Sequence, residues 1–396
     1  EDGRAPEPIT MPGAQAVMDA FLYTETGDPA CAESAVDILA SHDHALNDYI
    51  RAFRQLQPWP AMTDSQRRQI EARIARMADR FLEHHVEWGA KNHGTNYIVD
   101  GVKAAAMVLP DHPHSADWDQ FAERMVATSW GKWGIEDSQL YTPIWFEPMV
   151  HYADLTGRSE FFQLPTTVFY FHYFQQLLCP AGAVPEFGDG GWEGSWERHV
   201  ALLERGAAEY GSGEMKWAAR QIFEAFEDLH ESMQPSPEAF YNWPRAYGQR
   251  IVNAYRWADD TVEERVPTDG SREVLEDQIS RKVVFRSGWE PDSTYLLLNY
   301  MDVPAFGVDG RDQLRTTIPV ETEKTHHGHA DENSICLLMS KGSVLLGESG
   351  YRETSTTGPH GEFRADTYHN RLVVRPGLAD RQTRLLPFLL DEGRYR

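Results

Sequence analysis

Apolar residues recur at close to a 3.6-residue period from about Pro12 to Trp257, the spacing of helices with one buried face. In residues 34–56 they fall at Val36, Ile38, Leu39, Leu46, Ile50 and Phe53, which predicts one amphipathic helix. Residues 65–86 repeat the pattern with Ile70, Ile74, Met77, Phe81 and Leu82, and Asp64 is the expected cap. The same reading predicts helices over 96–109, 116–130, 141–155, 160–178, 196–210, 214–233 and 237–257, joined by Gly- and Pro-rich connections. A long series of helix pairs points to a helical toroid or solenoid, and no clean sequence repeat assigns it to a repeat family.

From about Ser280 the period falls to two. Residues 282–285, 294–300, 335–339, 344–346 and 372–374 read as strands separated by Gly and Asp clusters. Helices first and strands afterwards predict separate layers rather than an alternating fold. The expected division is a helical domain over 1–258, a charged linker over 259–279 and an antiparallel β-sheet domain over 280–396.

Composition narrows the picture. With 396 residues, 41% of them hydrophobic and 12% aromatic, the chain is long enough for two domains and a large core. No hydrophobic run approaches the roughly 20 residues that span a bilayer. Cys31, Cys179 and Cys336 are odd in number and far apart, and read as small core residues rather than disulfides or a metal knuckle. The net charge of −24 argues against nucleic-acid binding, which needs a basic footprint. At about 0.15 M salt, charges beyond roughly 8 Å are largely screened, so a local basic groove remains compatible with an anionic substrate. The chain begins at Glu1, and its first twelve residues carry no apolar signal core; a removed leader or trimming each explains that.

The densest chemistry lies in Thr325-His-His-Gly-His-Ala-Asp-Glu-Asn-Ser334, just before an apolar run. On an extended chain His327, His329 and Asp331 share one face, which suits a metal site, a proton-transfer site or both. Glu348 ends one predicted strand and Tyr368-His369-Asn370 opens the next; two imidazoles and a carboxylate, His329, His369 and Glu348, form a common zinc set. In the helical half, Lys91-Asn-His-Gly-Thr-Asn96 precedes a helix. Asn92 or Thr95 caps that helix, or Asn92 and His93 face a cleft where helix N-terminal donors hold an anion. Tyr141 follows Glu136-Asp-Ser138 and reads as core packing or as a functional phenol. Pro185-Glu-Phe-Gly-Asp-Gly-Gly-Trp192 reads as a tight turn, or as a loop that turns Asp189 or Trp192 to a cleft.

Together these stretches resemble the heparinase II/III-like polysaccharide lyases. The match rests on His327-Gly-His-Ala-Asp331, Gly342 to Gly350 with Glu348, Tyr368-His-Asn370, Asn92-His93, the tyrosine after Glu136-Asp-Ser138, and the 185–189 loop; it covers roughly 88–189 and 282–375. The resemblance implies an incomplete (α/α) toroid followed by an antiparallel β-sheet sandwich domain. It implies β-elimination at a 4-linked uronic acid, with alginate, glycosaminoglycans and ulvan as possible polymers, and a secreted or periplasmic location. Asn92 and His93 would neutralise the substrate carboxylate as the C5 proton leaves, His327 would be the base, and Tyr141 the acid or both acid and base. His329, Glu348 and His369 would hold a structural divalent metal, zinc by donor type, with no organic cofactor. Lys91, Arg311, Arg315 and Trp192 would bind the anionic sugar, Lys324, Arg352 and Arg364 also flank the motifs, and Trp145 and Trp196 either stack on sugars or join the core. The chain departs from the family in carrying Glu348 where Asp is usual. Only a short tail follows His369, so a fragment or a reduced β domain is expected.

Two other readings use different residues. A toroid glycoside hydrolase needs two carboxylates across a bond, for which Asp137 and Asp189 are available, but it leaves the histidines without a role. A non-catalytic, metal-stabilised glycan-binding protein would keep the metal trio and need neither Tyr141 nor His327.

Overall fold

The computed structural model describes residues 12–43, 45–84, 93–132, 138–188, 190–192, 195–232, 251–268, 274–277, 282–300, 334–348 and 369–370. Among them, helices come first: α1 (Pro12–Thr26), α2 (Pro29–Ser41), α3 (Leu46–Leu56), α4 (Asp64–His84), α5 (His93–Val108), α6 (Ser115–Ala127), α7 (Tyr141–Thr156), α8 (Pro165–Leu177), α9 (Trp196–Tyr210) and α10 (Gly213–Ser232). A further helical stretch covers 251–257. Among the described residues, no helix is long and apolar enough to cross a membrane.

Three helix boundaries correct the sequence reading. Residues 34–56 hold two helices, α2 and α3, the first ending at Ser41 and the second starting at Leu46. Pro165 starts α8 at its first turn, where a missing N–H costs nothing, so 160–178 divides into a 3-10 turn (Ser159–Gln163) and α8. The cap of α4 is Thr63, not Asp64. The Thr63 hydroxyl accepts the Gln66 N–H at 3.2 Å and the Gln66 side chain accepts the Thr63 N–H at 3.0 Å, a reciprocal capping box.

Antiparallel pairing of α5, α6 and α7 sets the direction of the site. Along α5 and α6, Ser115 reaches the Ala106 carbonyl at 3.0 Å and Lys103 reaches Asp119 at 2.6 Å, so the two helices run opposite ways. Along α6 and α7, Glu123 accepts from Tyr152 at 2.6 Å and Ser129 accepts from Trp145 at 3.4 Å, again opposite. α5 and α7, which pack directly on each other, therefore run in the same direction. At the far side of the helices, α1 touches the 251–257 helix: Phe21 and Tyr255 meet edge to face at 5.2 Å and Tyr255 donates to Glu25 at 3.1 Å.

Among the described residues, five strands form one antiparallel sheet in sequence order: β1 (Val274–Asp277), β2 (Lys282–Arg286), β3 (Tyr295–Asn299), β4 (Ser334–Ser340) and β5 (Ser343–Gly347). β1 lies inside the stretch read as a linker, where its pairing with β2 shows a strand. The expected strand at 372–374 lies outside the described residues. Leu297 pairs with Leu337 and Leu298 with Ile335, which makes Cys336 the extra residue of a bulge. The inner face (Val284, Tyr295, Leu297, Leu337, Met339) joins one hydrophobic core with α7–α10. Side chains also tie the layers. Arg286 donates to the carbonyls of Leu178, at 2.8 Å, and Gln176, and the Tyr295 hydroxyl donates to Leu177 O at 2.9 Å. These are the carbonyls at the end of α8 that have no partner within the helix, and a cation suits that negative end.

Candidate active site

His93 and Tyr141 are the first residues of α5 and α7. Because those helices run in the same direction side by side, the two residues lie at the same end of the helical layer, although they are 48 positions apart (141 − 93). The positive ends of both helix dipoles therefore lie at that end. Tyr141 is half-buried, and the turn leading into it is fixed by two local bonds. The Ser138 hydroxyl accepts the Tyr141 N–H at 2.9 Å, and the Thr142 hydroxyl accepts the Ser138 N–H at 3.1 Å.

The second stretch singled out by sequence, the 185–192 loop, is stapled to this turn. Gln139 N–H donates to the Phe187 carbonyl at 3.2 Å, and the Gln139 side-chain oxygen accepts the Gly191 N–H at 3.4 Å. The Ser195 hydroxyl donates to the Leu140 carbonyl at 3.0 Å. A Cβ on Gly190 would stand 3.0 Å from Gln139 Oε1 and would crowd this contact. Within the loop, the Trp192 N–H donates to Glu186 Oε1 at 2.8 Å. Trp192 is partly buried and packs against the core, while Trp145 and Trp196 are each 3% exposed and belong to that core rather than to a sugar-facing surface.

A buried polar row at one end of the sheet faces the loop. Lys282, Asn299 and Ser334 are cross-strand partners on β2, β3 and β4, and all three are buried. The Lys282 ammonium sits 4.2 Å from the centre of the Phe187 ring. The row continues past β5: the Ser334 hydroxyl donates to Glu348, and His369 Nδ1 is hydrogen-bonded to the other Glu348 oxygen. Asn370 holds His369 in that place. Its side-chain amide donates to the carbonyls of Gly347 at 2.8 Å and Ile335 at 3.2 Å, and its own carbonyl accepts the Ile335 N–H at 3.1 Å.

Glu186 links the two halves. Burial raises its pKa to about 7; the Trp192 N–H pulls it back down, and the nearby Glu348 carboxylate pushes it up. Two carboxylates in one water-poor pocket repel, and a cation or proton between them relieves the repulsion. Sequence reasoning chose Asp189 and Trp192 in this loop and passed over Glu186 and Lys282. Glu186 stands before an aromatic residue and two glycines, and only tertiary packing buries it. Lys282 reads as an ordinary strand-edge lysine.

Of the predicted metal set, Glu348 and His369 are adjacent and buried, with side chains 4% and 1% exposed. An imidazole and a carboxylate so placed suit a divalent cation, or suit a carboxylate that orients a ligating histidine. Among the described residues, no group of three potential ligands occurs. His329 lies outside them, as do Asn92, His327, Lys91, Arg311, Arg315, Lys324, Arg352, Arg364, Asp331, Asp137 and Asp189. The side chain of His93 also lies outside them.

No family model matches the sequence, and no curated protein matches it. Solved structures do. A heparinase III crystal structure superposes with a TM-score of 0.50 at 14% identity, covering 89% of this chain and 52% of that one. A second heparinase III gives a TM-score of 0.50 at 12% identity, covering 90% and 54%. Heparan sulfate lyase HepC from Pedobacter heparinus gives 0.48 at 14% identity, covering 87% and 49%. The chain thus spans about half the length of these proteins. What the heparinase III likenesses show is a shared fold, helices followed by an antiparallel sheet.

Proposed function

We propose that this chain is a polysaccharide lyase that cleaves an anionic, 4-linked uronate polymer by β-elimination, on an incomplete (α/α) toroid joined to a β-sheet domain. The observation that carries the reading is that α5 and α7, which begin at His93 and Tyr141, start at the same end of the helical layer, with the Tyr141 turn stapled to the loop whose Glu186 feels Glu348 of the sheet. The antiparallel α5–α6–α7 succession and the contact of α1 with the 251–257 helix support the toroid.

In this mechanism the C5–H bond breaks, its proton passes to His327 or Tyr141, the electron pair forms the C4–C5 double bond, and the C4–O4 bond breaks as Tyr141 protonates the leaving oxygen. Negative charge builds on the substrate carboxylate during proton removal. Asn92, His93 and the two helix N-termini offset it, because donors fixed in advance need no reorganisation as the charge grows. Lys91, Arg311, Arg315 and Trp192 would hold the sugar chain. A zinc ion held by His329, Glu348 and His369 would supply a cross-link between sheet-end loops and a positive charge beside Glu186.

The test is a panel of alginate, heparan sulfate and ulvan with ultraviolet detection of the unsaturated uronate. Polymer-dependent absorbance from the native chain, absent in Tyr141→Phe, is the expected result. Binding without any cleavage across the panel favours the glycan-binding reading and removes this one.

A further inference from the structure

A cavity of about 300 Å³ lies between α3, α5, α7 and the 251–257 helix. It stands apart from the Tyr141 end: its wall residue His151 is ten residues further along α7 (151 − 141), about 15 Å at the usual rise per residue. Three arginines line it, Arg51, Arg54 and Arg256, in a chain whose net charge is −24.

Each acid in its wall already holds a cation, although Asp100 Oδ1 is buried without a hydrogen-bond partner. Asp100 lies 2.5 Å from Arg51, and Asp154 takes Arg205 at 2.9 Å and the Trp257 indole N–H at 3.0 Å. Arg54 and Arg256 form no ion pair among the described residues, although Glu25 is near enough to act on the charge of Arg256. Arg256 rests over the Phe21 ring at 5.6 Å, and its pKa is lowered, first by burial and then by the charge of Arg51. His151 stacks on Trp257 at 4.4 Å, and its Nε2 is buried without a hydrogen-bond partner, 3.7 Å from Glu147. A cavity holding only water would leave guanidiniums repelling one another beside an unused imidazole nitrogen.

We infer that this cavity is a second anion site, which takes a small molecule bearing a carboxylate, sulfate or phosphate group between Arg54 and Arg256. Guanidinium forks match the paired oxygens of such groups. The volume stands at the small end of the roughly 300–1,000 Å³ typical of small-molecule sites, so one ring with its anionic group fits and a polymer does not.

Calorimetric titration of the full chain with sulfate, phosphate, glucuronate and a monosaccharide sulfate tests the inference, with chloride at matched ionic strength as the control. The inorganic and sugar-borne arms separate a bare oxyanion from a saccharide ligand. Arg54 and Arg256 are exposed at their edges and unpaired, so Arg54→Ala/Arg256→Ala should fold with an unchanged or higher melting temperature in chloride. It should lose at least about tenfold in affinity, beyond what screening alone produces. Arg256→Lys should recover part of the binding. No binding above the chloride control, or full affinity in the double variant, would overturn the inference.

Discussion

Tyr141 contributes a backbone N–H to the turn and a phenol to the proposed chemistry, and substitution separates the two. Tyr141→Phe keeps the N–H that Ser138 accepts, so it should stop turnover while the turn and the fold are retained, as read by circular dichroism. Ser138→Ala removes the acceptor from a buried turn and should cost about 1 kcal/mol of stability by thermal or urea unfolding, with reduced turnover because Tyr141 shifts. Titratable residues add a pH signature. Burial raises Glu204 to about 7, against a smaller opposing pull from Lys216. Its folded pKa lies above its unfolded value of 4.5, so its contribution is full below 4.5 and is lost as pH rises towards 7. Burial drives His151 and His199 down to about 3, so the unfolded chain takes up their protons first and stability falls as pH drops from 6.5. Glu204→Gln should remove that loss, so its melting temperature should gain on that of the native chain as pH rises from 4.5 to 7, as read across pH. At this scale the sequence exposed the motif stretches but not which side chain in them is buried. Glu186 and Asp189 look alike in the primary structure, and burial together with Glu348, 162 positions away (348 − 186), perturbs Glu186.

Local chemistry punctuates element boundaries that the apolar periodicity ran through or missed. Pro165 and Asp28-Pro29 open helices because proline fits the first turn and aspartate accepts its N–H; the Asp28 side chain takes the Ala30 N–H at 3.0 Å. The break between α2 and α3 was hidden for a geometric reason. Leu39 and Leu46 are seven residues apart, two helical turns, so the apolar stripe keeps its phase across the interruption. The close approach of α3 and α5 was equally silent. A Cβ on Gly101 would stand 2.8 Å from the backbone nitrogen of Asn47, an atom that cannot rotate away. Gly101→Ala should therefore destabilise the chain by about 1–3 kcal/mol in denaturant unfolding, despite alanine's better helix propensity. Wild-type stability in that variant would mean the two helices separate at little cost.

At the scale of the whole molecule, the change from helical to strand periodicity foretold the order of layers but not how tightly they join. Among the described residues the inner face of the sheet closes the core formed by α7–α10, and Arg286 anchors it to the end of α8. Burial lowers the Arg286 pKa only to about 10, so the guanidinium stays charged at neutral pH. Arg286→Met should cost about 1.5–3 kcal/mol and raise the exchange rate of β2 and β3 amides more than those of α3, measured by hydrogen exchange. The outer face of the sheet is apolar across the register Phe285, Leu296, Leu338 and Leu346, with Phe285 50% exposed. The alternation in the strands marked that face, but sequence alone could not say which face the helices cover. The account as a whole stands on elimination rather than hydrolysis, and cleavage in heavy-oxygen water separates them. Elimination breaks the C4–O4 bond without consuming water, so mass spectrometry should find no solvent oxygen in freshly released fragments, whose combined mass equals that of the parent. One solvent oxygen per cleavage, with products heavier by a molecule of water, would contradict it.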